Sequence, residues 1–301
     1  MGGVEEEWLR LGSRLRVMGF EPDAREFAKL SSDARHLFLN CALAATSGTP
    51  LSFYVSREAG KSSVLQPNME LLRQFPDAER YETVHTSEIS GANVKTLDQV
   101  LSENPAWRPD FIKLDTQGSE KMILEGGKKA LETSVFGLKV EVEFVPLYMG
   151  QPLFADVDAF LRPFDFELID LRRAFWKRKA FTDFSGKGSL VFGDALYFKN
   201  ERGIRTLLET KSPDGKLQSL LRYILICTVY GAYDYAFYLM DTFAAHDPSH
   251  LFHAIRAGLK TALLKGQFGK SYRLSTVFGH LQRRTAKSHL GFADGDATLG
   301  N

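Results

Sequence analysis

The chain has few cysteines and no long apolar segment. Its 301 residues include only Cys41 and Cys227, and both lie in apolar runs, where buried reduced thiols are usually found. No charged, apolar and cleavable segment opens the chain, and no run of about eighteen apolar residues occurs. We therefore predict a cytoplasmic protein without a membrane span.

An excess of charge of one sign is also absent. Lysine and arginine number 38 and aspartate and glutamate 37, which leaves a formal net charge of +1. With no overall field to attract nucleic acid, we expect no nucleic-acid partner. Zinc-ligand spacing, a Walker loop and a Gly-x-Ser-x-Gly elbow are missing as well. Hydrophobic residues make up 44% of the chain, which is enough for a globular core.

The most informative segment is residues 110–120. An apolar run brings Asp115 to the end of a short strand, Gly118 permits a tight turn, and Ser119 and Glu120 open an apolar-periodic helix. In open α/β sheets, ligands bind beyond the carboxyl ends of the strands. An aspartate placed there can accept a proton from a hydroxyl, hold a cation or orient a cofactor amine, and it can also cap the helix that follows.

Two further carboxylates end predicted strands. Glu143 is the acidic tip of the alternating strand 138–145, so Asp115 and Glu143 are placed to face one another and to bind Mg²⁺. A solvated edge residue is the alternative for Glu143, and a divalent metal has no further support. Glu21 precedes Pro22 at the end of an earlier strand, where a carboxylate can accept hydrogen bonds from both hydroxyls of a ribose or favour the first turn of a helix.

Strands alternate with helices over residues 1–200, which predicts a doubly wound, mostly parallel α/β sheet closed by an antiparallel pair. We predict one buried strand over residues 36–43 and a mobile loop over the basic and aromatic residues 172–187. Within that loop, residues 175–181 either help to select the substrate or are simply solvated.

Beyond residue 200 the pattern becomes helical. We predict a linker at 201–215, a helical extension at 216–290 and a disordered tail at 291–301. Residues 231–236 and 266–271 share a pattern 35 positions apart, close to a tetratricopeptide-like period. Such helices would offer a surface to a protein partner. An equally good interpretation is a helical cap that packs aromatic side chains onto the sheet, namely Tyr223, Tyr230, Tyr233 and Phe237.

The order of the motifs resembles the FkbM-type methyltransferases. The resemblance covers about residues 1–200. It implies a Rossmann-like class I fold that binds S-adenosylmethionine and transfers its methyl group to a hydroxyl, often on a sugar or natural-product scaffold. Six segments carry it, which are Val17-Met-Gly-Phe-Glu21-Pro-Asp23, Ala42-Leu43 before Gly48, Ser62-Ser63, Thr96-Leu97-Asp98, Asp110-Phe-Ile-Lys-Leu-Asp115-Thr-Gln-Gly118-Ser-Glu120 and Val140-Glu-Val-Glu143.

The resemblance also implies roles for single residues. Glu21 matches the acid that binds the cofactor ribose, and Asp115 and Gln117 match the segment beside its methionine end. We infer that Asp115 is the base that accepts the proton of the substrate hydroxyl, with Glu143 as a second catalytic carboxylate. The remaining cofactor contacts are expected at the adenine, from Asn40, Cys41 and Ala42, and at the glycine-rich loop, from Gly2 and Gly3.

The start of the chain departs from the family pattern. That pattern begins with a strand ending in Asp-x-Gly-Ala-x-x-Gly, whereas this sequence begins Met1-Gly2-Gly3-Val4. Because the missing strand would be the central one, we expect the natural chain to start further upstream. Two alternatives follow, a catalytically impaired scaffold with a helical protein-binding module, and an NAD-dependent oxidoreductase, since Glu21 would suit the NAD ribose equally well.

Overall fold

The computed structural model describes residues 5–182, 186–264 and 292–294. The elements of the first hundred residues are short. They are α1 (Glu6–Leu9), β1 (Val17–Phe20), α2 (Ala24–Phe27), β2 (His36–Leu39), β3 (Ala42–Leu43), β4 (Leu51–Ser56), α3 (Met69–Leu72), β5 (Thr83–Ile89), β6 (Val94–Lys95) and α4 (Leu97–Glu103).

The middle of the chain carries the elements of the main sheet. They are β7 (Phe111–Leu114), α5 (Glu120–Glu125), α6 (Lys128–Thr133), β8 (Gly137–Glu143), α7 (Phe154–Leu161), β9 (Phe166–Trp176) and β10 (Ser189–Lys199). The C-terminal part adds α8 (Glu201–Glu209), α9 (Pro213–Val229), α10 (Tyr233–Thr242), α11 (Leu251–Leu264) and β11 (Phe292–Asp294). None of the helices in this described part is long and apolar enough to cross a membrane.

The main sheet has the strand order β11-β9-β10-β8-β7. Strands β7 and β8 are parallel, with Ile112 opposite Leu138 and Leu114 opposite Val140, because α5 and α6 carry the chain back between them. Strand β10 is antiparallel to both β8 and β9. The pair β9 and β10 is the antiparallel hairpin that the sequence predicts. The parallel register brings the carboxyl ends of β7 and β8 side by side.

The predicted single sheet is not confirmed, because the described strands form four separate sheets. Strands β1 and β2 are a parallel pair, β3 and β6 another, and β4 and β5 an antiparallel ribbon. The strand predicted over residues 36–43 is divided into β2 and β3 at Asn40. Its side-chain amide donates to the backbone oxygens of Glu21, at 2.8 Å, and Pro22, at 3.4 Å, and so ties the end of β2 to the end of β1.

Helices cover both faces of the main sheet. In β10, Ala195 and Tyr197 belong to a core shared with α4, α5, α6 and α7. The alternate residues Leu196 and Phe198 belong to a second core shared with α8, α9 and α10. Since side chains of a strand alternate between faces, this pattern places the sheet between two helical layers, as a doubly wound architecture requires.

The C-terminal helices pack directly on the sheet. Residues 201–215, for which the sequence predicts a linker, contain helix α8, whose Ile204 and Leu207 are buried. On α9, the ring of Tyr223 stacks on Phe136 with centroids 4.4 Å apart. This packing agrees with the helical cap interpretation. Of the two predicted repeats, residues 231–236 lie at the junction of α9 and α10, and residues 266–271 lie outside the described residues.

Two other predictions concern the end of the hairpin and the tail of the chain. The basic and aromatic segment 172–187 is predicted as a loop, but its first part continues β9 to Trp176 and pairs with β10. Phe175 and Trp176 are buried, so their rings are packed inside the protein. In the tail predicted to be disordered, Phe292–Asp294 pair with β9, and residues 291 and 295–301 lie outside the described residues.

Candidate active site

The candidate site lies at the carboxyl ends of β7 and β8. Asp115 follows β7 directly and is exposed. The turn into α5 uses positive φ angles at Gln117, of 58°, and at Gly118, of 102°. A glycine carries the second of these angles without a steric penalty. A Cβ at Gly118 would also lie 2.9 Å from the side-chain nitrogen of Gln151, so the turn has no room for a larger residue.

Glu120 holds this turn together from within. The Glu120 carboxylate accepts hydrogen bonds from the backbone nitrogen of Thr116, at 2.7 Å, and from its hydroxyl, at 3.1 Å. Burial raises the pKa of Glu120. The side chain is 3% exposed, and it serves the turn and the start of α5 instead of facing solvent.

The carboxamide of Gln117 connects two carboxylates. Its nitrogen donates to Asp115 Oδ1 at 3.1 Å and to Glu141 Oε2 at 2.9 Å. Its oxygen accepts from the hydroxyl of Tyr148 at 3.0 Å. The backbone oxygen of Gln117 accepts from Ser63 Oγ at 2.8 Å. Gln117 is therefore fixed from every side, and Asp115 is held beside Glu141.

Glu141 is a site residue that the sequence argument misses. Along β8, Lys139, Glu141 and Glu143 point to one face, since alternate residues share a face. Burial, followed by repulsion from Asp115, raises the pKa of Glu141 well above its ordinary value. Once the parallel register of β7 and β8 is known, the Lys-Val-Glu-Val-Glu alternation shows that Glu141 is the nearer of the two glutamates to Asp115.

Glu143 lies deeper than predicted. Its side chain is 2% exposed, and burial first, then repulsion from Glu120 and Asp115, raises its pKa. Lys61 faces this carboxyl group and that of Glu141 and lowers the pKa of both. The predicted pairing of Asp115 with Glu143 across the edge of the sheet thus holds only as a charge interaction, because Glu143 has almost no contact with solvent.

The predicted contacts for the adenosine part lie at the ends of β1 and β2. Glu21 is half-buried, which raises its pKa, and its Oε1 accepts from the backbone nitrogen of Asp23 at 3.0 Å. The amide nitrogen of Asn40 is used in holding the two strand ends together. Cys41 and Ala42 are 4% and 5% exposed, so both present almost no surface to a cofactor.

The predicted glycine contacts and the metal alternative remain. Gly2 and Gly3 lie outside the described residues. Within the described ranges, no group of three or more histidine, cysteine, aspartate or glutamate side chains is arranged to hold a metal ion. The metal alternative therefore gains no support from the geometry.

Comparison with known proteins gives one match. The family model of the Methyltransferase FkbM domain matches residues 4–168, which is more than half of the 301 residues. The comparisons with curated proteins and with solved structures give no match. The matched range contains each described site residue above, from Glu21 to Tyr148, and ends at the start of β9. The family implies a methyltransferase with a Rossmann-like fold, and the chain belongs to the FkbM methyltransferase family.

Proposed function

We propose that the protein is an S-adenosylmethionine-dependent O-methyltransferase that acts on a hydroxyl group of a sugar, a glycan or a natural product. The observation that carries the proposal is the exposed carboxylate of Asp115 at the end of β7, held by Gln117. In folds of this class, ligands bind at this edge of the sheet. A carboxylate fixed there can accept a proton from a bound hydroxyl.

The described residues fit the cofactor in two places. The half-buried carboxylate of Glu21 accepts a hydrogen bond from the backbone nitrogen of Asp23. An ionised carboxylate has about four lone-pair sites in all. Glu21 therefore has capacity left for the hydroxyls of a ribose. Asp115 places negative charge where the cationic methionine end of the cofactor would lie. When bound, S-adenosylmethionine supplies an electrophilic methyl group. Gly2 and Gly3 remain predicted contacts.

The chemistry assigned to this chain is a proton transfer. A carboxylate oxygen of Asp115 would accept the proton that the acceptor hydroxyl loses as its oxygen bonds to the methyl carbon, while the bond from that carbon to the cofactor sulfur breaks and S-adenosylhomocysteine is left. General base assistance of this kind contributes about 10²- to 10⁴-fold in rate. Gln117 keeps the carboxylate in one orientation, which favours the transfer because the acceptor group is already in place. Glu143 is buried and its raised pKa favours the protonated form, so it takes no part in this proton transfer.

Cofactor binding is tested by calorimetry with S-adenosylhomocysteine. We expect Glu21→Ala to weaken binding by at least about tenfold, because a charge-assisted hydrogen bond contributes about 1.5–3 kcal/mol. Glu26→Ala is the matched control, since Glu26 lies on α2 in an exposed ion pair with Lys29, and its affinity should equal that of the wild type. Equal binding by the wild type and Glu21→Ala would remove Glu21 from the cofactor site.

Catalysis is tested with labelled S-adenosylmethionine and a panel of glycans and small alcohols. With any acceptor that the wild type methylates, Asp115→Asn should lower the rate at saturating S-adenosylmethionine by about 10²- to 10⁴-fold. A rate close to that of the wild type would exclude Asp115 as the base.

The other two interpretations have less support. An NAD-dependent oxidoreductase does not agree with membership of a methyltransferase family. The scaffold with a helical protein-binding module rests on the C-terminal helices alone, and α8, α9 and α10 already bury one face in the core on the sheet.

A further inference from the structure

The groups that are hydrogen-bonded through Gln117 differ in their exposure to solvent. Asp115 is exposed, Glu141 is half-buried and Gln117 is 8% exposed. A ligand that enters from solvent therefore meets Asp115 and does not meet the Gln117 carboxamide. Both hydrogens of that carboxamide are nevertheless directed at carboxylates, one on Asp115 and one on Glu141.

The two carboxylates form a close pair. Their bonded oxygens are about 6 Å apart at most, because both accept from the same nitrogen, at 3.1 and 2.9 Å. Carboxylates this close do not ionise independently, and the less solvated one keeps its proton to higher pH. Repulsion from Asp115 is accordingly one cause of the raised pKa of Glu141. Glu120 and Glu143 also face Glu141 and add to the repulsion, whereas Lys61 opposes it.

The backbone conformation at residue 117 indicates that the glutamine side chain is retained there for its function. Gln117 has a φ of 58°, a conformation that costs energy for a residue with a Cβ and that glycine adopts freely. Such strain persists where the surroundings over-determine it, and it is concentrated at functional sites. Here Tyr148 and Ser63 hold the side chain and the backbone of Gln117.

We infer that Gln117 and Glu141 are positioning residues of the proton-acceptor site, which fix the exposed Asp115 carboxylate and keep the negative charge of the pair on it. This inference rests on the proposed transfer to a hydroxyl, in which Asp115 takes the proton. Glu141 stays neutral beside it, and the Gln117 carboxamide bonds to both groups.

The experiment is a pH titration of the side-chain carboxyl groups by ¹³C NMR. In Gln117→Gly both donated hydrogen bonds are lost while the backbone strain is relieved, so the apparent pKa of Glu141 should rise further, because the hydrogen bond to its ionised form is gone. Asp77→Gly is the matched control, since Asp77 has a φ of 56° and lies on an exposed turn; its spectra should titrate as those of the wild type do.

A second variant measures the same pair without altering residue 117. In Asp115→Asn the repulsion is removed, and the apparent pKa of Glu141 should fall. If Gln117→Gly titrates as the wild type does, or if Asp115→Asn leaves Glu141 unchanged, the inference is overturned. Calorimetry with S-adenosylhomocysteine separates the two proposals. If the protein binds S-adenosylhomocysteine but the variants titrate as the wild type does, only the positioning role of Gln117 and Glu141 is excluded. If the variants titrate differently but the protein does not bind S-adenosylhomocysteine, only the proposed function is excluded.

Discussion

Replacing Glu143 with glutamine should make the stability of the protein less dependent on pH. Glu143 ends β8 with 2% of its side chain exposed. Burial and the repulsion from Glu120 and Asp115 raise its pKa to about 8, compared with an ordinary value of 4.5. Glutamine has nearly the same shape and carries no charge, so Glu143→Gln removes the titration and keeps the packing.

The direction in which stability changes with pH follows from the protons that Glu143 binds in the folded and unfolded chains. Below pH 4.5 the carboxyl is protonated in the folded and unfolded chains, and it costs no stability. As the pH rises from about 4.5 to about 8, the unfolded chain loses the proton and the folded chain keeps it, so stability is lost across this range. A difference of about 3.5 in pKa corresponds to about 5 kcal/mol. Water entry and relaxation around the ionised group reduce this cost, so we expect a loss of about 2–4 kcal/mol between pH 5 and 8.5.

The assay is urea unfolding at pH 5, 6.5 and 8.5, followed by tryptophan fluorescence and circular dichroism. The free energy of unfolding of Glu143→Gln should match that of the wild type within about 1 kcal/mol at pH 5 and exceed it by about 2–4 kcal/mol at pH 8.5. Glu88→Gln, at an exposed position on β5, is the control, and its free energy of unfolding should change with pH as that of the wild type does. If the free energy of unfolding of Glu143→Gln also changes with pH as that of the wild type does, the buried carboxyl is not the source of the pH dependence.

Three further substitutions test the packing by urea unfolding. The control for each is Val84→Ala at an exposed position, whose free energy of unfolding should stay within about 0.5 kcal/mol of the wild-type value. Phe136→Ala should cost about 3–5 kcal/mol, because its fully buried ring joins the sheet to α9; a cost below about 1 kcal/mol would show that the extension folds separately. Tyr230→Phe should cost about 1–2 kcal/mol, since its hydroxyl bonds to side chains at α1, and no measurable cost would mean that this contact is not formed in solution. Gly126→Ala should cost more than about 1 kcal/mol, because its Cβ would lie 2.1 Å from the backbone oxygen of Ala44; a neutral effect would contradict that close approach.

The strand, turn and helix around Asp115 are readable from the sequence because each depends on local properties. A four-residue strand with three apolar residues, a glycine with a positive φ and an acidic residue in the first turn of α5 are enough to define it. The antiparallel pair β9 and β10 is predicted for the same reason, although its full length is not. Arg172 and Arg173 make residues 172–176 basic, as in a surface loop, yet pairing with β10 extends the strand through them.

Other features depend on contacts between distant residues and are missed. The division of the strand at Asn40 follows from its side-chain bonds to Glu21 and Pro22, nearly twenty positions earlier in the sequence. Helix α8 occupies the predicted linker because Ile204 and Leu207 reach a core that the sheet completes. Ile204, Leu207 and Leu208 have the spacing of one helix face, but only the sheet provides the core on which that face packs.

The sequence by itself determined the methyltransferase family, the alternation of strands and helices, and the delivery of Asp115 to a strand end, because motif order and apolar periodicity are properties of the chain. The tertiary structure decided which carboxylate lies beside Asp115. The register of β7 and β8 and the reach of the Gln117 carboxamide select Glu141, and burial removes Glu143 from solvent. A pKa and a hydrogen-bond partner depend on the dielectric surroundings and on distances across the fold, which the spacing of residues along a chain does not contain.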